Sequence, residues 1–157
     1  MAFTVSSLPI EPFQPLFALD DDALVARGML RVVADTAFAF PCRVTLDDAE
    51  PGERLILLNY EHQPADSPFR SAHAIYVREA AGAAVNATNA LPPALARRLL
   101  SLRAFDAAGM MCDADLVEGA QAGPVIERLL ADPQVAYLHA HYARPGCYAA
   151  RIDRADA

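Results

Sequence analysis

An α+β fold with a mainly antiparallel sheet is the expectation for this chain, and three observations carry it. Strand-length segments with alternating apolar residues recur after residue 41, Gly and Pro mark hairpin-length turns between them, and no βαβ rhythm or internal repeat is present. The pattern gives about seven strands and about three short helices. At 157 residues and 54% hydrophobic, the chain suffices for one domain over 1–157, with 1–18 an extended lead-in and 19–154 the compact core.

Three prolines in residues 8–15 favour extended backbone, after which Asp20-Asp21-Asp22 places negative charge at the start of a short helix with Asp20 as its N-cap. Cys42, Val44 and Leu46 alternate with Arg43 and Thr45 as a strand, and Pro51-Gly52 turns into a second, almost wholly apolar strand from Arg54 to Tyr60. A polar loop over 63–71 precedes a strand from Ala74 to Arg78, and 82–90 reads as loop. Pro92-Pro93 opens a short helix through Arg98. Leu99 to Asp106 and Met110 to Leu116 form a hairpin about Ala107-Ala108-Gly109. Pro124 starts a helix with Val125, Ile126, Leu129 and Leu130 on its apolar face, ended by Asp132-Pro133. A closing hairpin joins Val135–Tyr142 to Cys147–Ile152.

Composition removes several classes of function. A net charge of −7 disfavours nucleic acid and anionic membranes as partners. All thirteen basic residues are Arg, so a P-loop nucleotide site and a pyridoxal phosphate Schiff base both lack their lysine. No GxG supports NAD binding, and GxSxG, HExxH and CxxC are missing. No signal-peptide or membrane-span pattern occurs, and three widely spaced cysteines fit no disulfide framework. The expected setting is the cytoplasm.

The residues richest in chemistry sit near the end. Tyr137, His139 and His141 alternate on one face of a strand, with Leu138 and Ala140 on the other, and Cys147 follows the Arg144-Pro145-Gly146 turn. Two imidazoles so placed can converge on a metal, with Cys147, His62 or Cys42 as a third ligand. Whether Cys147 reaches the histidine face depends on the hairpin register: a two- or four-residue loop puts it with Tyr142, a three- or five-residue loop with His141. Arg43, beside Thr45, and Arg103, beside Ser101 and Phe105, could hold a carboxylate or phosphate. Asp113 and Asp115, with Asp106 across the hairpin, could supply an acid and a base or bind a cation, although charged edge strands more often guard against aggregation.

Several segments resemble a bacterial family catalogued as domain of unknown function 1203: residues 41–49 (PCRVTLDDA), 57–62 (LLNYEH), 67–71 (SPFRS), 75–78 (IYVR), 101–106 (SLRAFD) and the run from His139 to Arg154. The resemblance begins near residue 35. It implies a self-contained domain and brings no established activity with it.

The leading functional expectation is a pocket on the sheet, lined by His139, His141 and Arg43 or Arg103 with Tyr137 nearby, that recognises a small anion. If the protein is an enzyme, a histidine would be the base and an arginine would hold the substrate. The alternatives are a metal-dependent enzyme using His139 and His141, and a non-catalytic assembly module such as a homodimer, whose interface would have to be large and apolar.

Overall fold

The computed structural model describes residues 2–155. Among these, nine strands and four short α-helices follow in the order β1 (Phe3–Ser6), α1 (Gln14–Phe17), α2 (Asp21–Val25), β2 (Leu30–Val33), β3 (Arg54–Gln63), β4 (Ser71–Arg78), β5 (Asn86–Thr88), α3 (Pro93–Ala96), β6 (Leu99–Phe105), β7 (Met111–Glu118), α4 (Ala122–Ala131), β8 (Tyr137–Tyr142) and β9 (Tyr148–Arg154). One sheet has six strands in the order β5-β1-β9-β8-β6-β7, the other three in the order β2-β3-β4. Every pairing of named strands is antiparallel. The α+β class stands, with more strands than the pattern suggested. Among the described residues no helix is long and apolar enough to cross a membrane.

One face of the larger sheet is sealed by α4. Leu100, Leu102, Ala104, Leu138, Ala140 and Ile152 pack there against Ile126, Leu129 and Leu130, the apolar stripe that the helical spacing predicts. The helix starts at Ala122, so Pro124 lies in its first turn, where no intrahelical amide bond is lost. A second core joins Ile56, Leu58, Ile75 and Val77 of the smaller sheet to Leu8, Ile10, Phe13 and Leu24. The Asp20 cap is present, its carboxylate accepting from the Ala23 amide at 2.8 Å.

Residues 42–46 are not a strand. The chain turns through them: the Leu46 amide bonds to the Cys42 carbonyl at 3.0 Å, and Leu46 adopts φ +52. Cys42, Val44 and Leu46 are nonetheless fully buried. Cys42 and Val44 enter the second core and Leu46 the first, so the alternation came from a loop wedged between two cores. Within the span expected as an extended lead-in, Phe3–Ser6 pairs with β9 and β5 inside the larger sheet and Gln14–Phe17 is helical. β2 and β5 lie at sheet edges and are short, so they show little of the local periodicity that marks a buried strand.

Candidate metal centre

The face of the larger sheet opposite α4 is polar. His139 pairs with Arg103 and His141 with Ser101 across β8 and β6, and Tyr137 pairs with Phe105, so these six side chains share one face. The smaller sheet brings His62 and His73 against it. His62 lies on the β3 face that carries Ile56 and Leu58, and His73 on the β4 face that carries Ile75 and Val77. All four histidines of the chain therefore meet: the His62 ring lies 5.5 Å from that of His139, 5.1 Å from that of His141 and 4.7 Å from that of His73.

One ring nitrogen from each of His62, His139 and His141 lies within 4.8 Å of the other two, and all three residues are buried. His62 Nδ1, His139 Nδ1 and His141 Nε2 are buried without a hydrogen-bond partner. The other nitrogens of two rings are engaged: His141 Nδ1 lies 3.1 Å from the Gly146 carbonyl, and His62 Nε2 lies 2.7 Å from His73 Nδ1. A carbonyl can only accept, so His141 carries its proton on Nδ1 and presents a bare lone pair at Nε2.

The electrostatics keep these rings neutral. Burial, then His73 and Arg103, lowers the His62 pKa to about 4. Burial lowers His139 to about 3, helped by His62, Arg151 and Arg103. His141 also falls to about 3, through burial and Arg103, against the Gly146 carbonyl, which favours its protonated form. Neutral imidazole is the form that ligates metal.

A model of the family described as protein of unknown function (DUF1203) matches residues 39–154. The chain belongs to that family. No curated protein and no solved structure matches it.

In this DUF1203 domain the sequence-derived candidates divide. Of the three expected sources for a third ligand beside His139 and His141, His62 is the one with a ring nitrogen within 4.8 Å of theirs. Cys147 does not: the Tyr142 amide bonds to its carbonyl at 2.9 Å around a four-residue loop, Cys147 packs against the first core, and its Sγ accepts from Arg43 Nη2 at 3.0 Å. Cys42 is a core residue whose sulfur accepts from the Val44 and Arg78 amides at 3.4 Å.

Arg103 joins the histidines, and Arg43 does not line up with it. Arg43 is 1% exposed; it donates to the Tyr148 carbonyl at 2.7 Å and to the Pro41 carbonyl, on another side of the β8–β9 hairpin. Tyr137 stands at the margin of the histidine group, its hydroxyl paired with Gln63 at 2.8 Å and 3.0 Å. Asp113 and Asp115 lie instead over α4, where both pair with Arg128, and Asp106 caps its turn through the Ala108 and Met110 amides. Sequence reasoning missed His73 and Tyr148, whose ring lies parallel to His62 at 4.8 Å. The alternation of His73 with Ile75 and Val77 was the available signal for the first.

Proposed function

We propose that this DUF1203 protein binds a divalent first-row transition metal ion through His62, His139 and His141, with at least one coordination position left open. The single observation that carries the proposal is the convergence of three buried histidines, each bringing one ring nitrogen within 4.8 Å of the other two, in rings that each keep one buried nitrogen without a hydrogen-bond partner. A buried polar atom without a partner costs about 1–3 kcal/mol, and one cation held by the three rings would compensate such atoms together. Four-coordinate zinc at about 2.0–2.1 Å from nitrogen implies nitrogens roughly 3.4 Å apart, so the rings draw inward slightly on binding.

Three imidazoles and an open position suit zinc, which uses such sites to lower the pKa of bound water to about 7. The reaction class that fits is metal-assisted hydrolysis or hydration, with Arg103 beside His139 to hold an anionic group of the substrate. Three free cysteines suit a reducing compartment, and a cytoplasmic setting is part of the same reading.

Elemental analysis of tag-free protein tests this, alongside the His139→Ala/His141→Ala double variant and Co2+ reconstitution of both. Near-stoichiometric metal in the parent protein, a tetrahedral Co2+ visible spectrum, and loss of both in a folded variant are expected. A parent protein that takes up neither Zn2+ nor Co2+ at micromolar concentration overturns the proposal.

A further inference from the structure

A cavity of about 870 Å3 lies beside the β8–β9 turn, between the start of β6 and the face of the smaller sheet that carries Leu57 and Tyr76. Its volume is in the range of small-molecule sites, about 300–1,000 Å3. Four of the thirteen arginines line it, Arg43, Arg97, Arg98 and Arg144, in a chain whose net charge is −7. Glu118, exposed, is the carboxylate among the lining residues.

The charges there are unevenly compensated. Asp48 takes Arg98 at 2.6 Å and Arg97 at 3.2 Å, and Asp47 takes Arg97 at 3.1 Å. Arg43 has no carboxylate partner among the described residues: its guanidinium is buried, with two carbonyls and the Cys147 sulfur as acceptors. Arg144 is exposed and likewise makes no ion pair among the described residues. Tyr142 also lines the cavity. Its hydroxyl is buried without a partner, and the Arg43 and Arg98 guanidiniums stand 4.9 Å and 5.1 Å from its ring centre. A buried charge without a counterion and a buried hydroxyl without a partner are both costly, and one incoming oxyanion relieves both.

We infer that this cavity binds the carboxylate or phosphate group of a small organic anion, with Arg43, Arg98, Arg144 and the Tyr142 hydroxyl around the acidic group. Arginine suits that task because its planar fork matches the oxygens of both groups. The apolar part of the ligand lies against Leu57, Tyr76 and Leu99. This site is separate from the histidine cluster. Tyr148 stands between them, with its ring against His62 and its carbonyl on Arg43.

The test is a titration of chelator-treated, metal-free protein with phenyl phosphate, benzoate and the uncharged benzyl alcohol, followed by the 15N resonances of the arginine side chains. Saturable shifts with at least one anion at millimolar concentration or below, and none with benzyl alcohol, are expected. Arg144→Ala, at an exposed position without an ion pair, weakens binding about tenfold, which equals about 1.4 kcal/mol. Tyr142→Phe, which keeps the ring, weakens it severalfold, and Arg128→Ala, on α4 and paired with Asp115 away from the cavity, leaves it unchanged. The inference is overturned if neither anion gives saturable shifts, if benzyl alcohol binds as well, or if Arg144→Ala and Tyr142→Phe, shown to be folded, both bind as the parent does.

Discussion

The carbonyl of Gly146 lies 3.1 Å from Nδ1 of His141, and this contact fixes which nitrogen of that ring can act as a ligand. Because the turn before Cys147 holds the proton on Nδ1, Nε2 is left as a buried lone pair without a partner, in a ring 5.1 Å from that of His62 and 6.3 Å from that of His139. His73 stands in a similar relation to His62, 2.7 Å from Nε2.

Ligands and supporting residues are therefore distinguishable. His62→Ala, His139→Ala and His141→Ala each remove a donor and should abolish stoichiometric binding at micromolar metal. His73→Ala removes support alone and should weaken affinity by about 10–100-fold. Competition against a chromophoric chelator measures both, and an equal loss in His73→Ala would make His73 a ligand.

Without metal, the three unpartnered nitrogens weigh against the fold. His139→Leu removes one of them and should leave the metal-free protein as stable as the parent or more so, since an apolar group of similar size avoids an unsatisfied donor or acceptor. The same variant should lose the rise in Tm that Zn2+ gives the parent. Thermal denaturation with and without metal reads both effects.

The histidines also set a pH dependence for the metal-free protein. Their folded pKa values, about 4 for His62 and about 3 for His139 and His141, lie below the unfolded value of about 6.5. The unfolded chain therefore binds protons that the folded one refuses. Their contribution is fully present above about pH 6.5 and is lost as pH falls from there towards 3, by at most about 1.4 kcal/mol per pH unit for each histidine. Urea midpoints between pH 8 and pH 4.5 in the parent and in His139→Leu/His141→Leu would show it, with a flatter profile expected in the variant.

Gly119 is required for a packing reason. A Cβ there would stand 1.9 Å from the Leu95 carbonyl oxygen and 2.8 Å from that of Arg98, which already accepts from the Gly119 amide. Those are backbone atoms and cannot swing aside. Gly119→Ala should destabilise by about 2 kcal/mol or more, as overpacking does, and chemical denaturation reads it directly. Gly123→Ala, which meets open space, is the control.

Much of the fold was legible because its signals are local. The α4 stripe, the Asp20 cap and the β6–β7 hairpin depend on residues within a few positions of one another. The shared face of Tyr137, His139 and His141 followed from the two-residue strand period. That period failed at 42–46, where Cys42, Val44 and Leu46 are buried because the turn reaches into two cores, and Arg43 between them is buried as well. It also could not reveal β5, a three-residue edge strand held by its register with β1.

The sequence by itself determined the α+β class, the apolar face of α4 and the side of β8 on which His139 and His141 project, because helix and strand periods are set by the backbone alone. Only the tertiary structure decided that His62 and His73 complete the cluster, that Cys147 turns away from it, and that Arg43 joins Arg97, Arg98 and Arg144 around a cavity. A strand's period says which way a side chain points from its own sheet, but not what lies above it. That depends on how a second sheet, distant in the chain, packs its apolar face, and no local pattern encodes that choice.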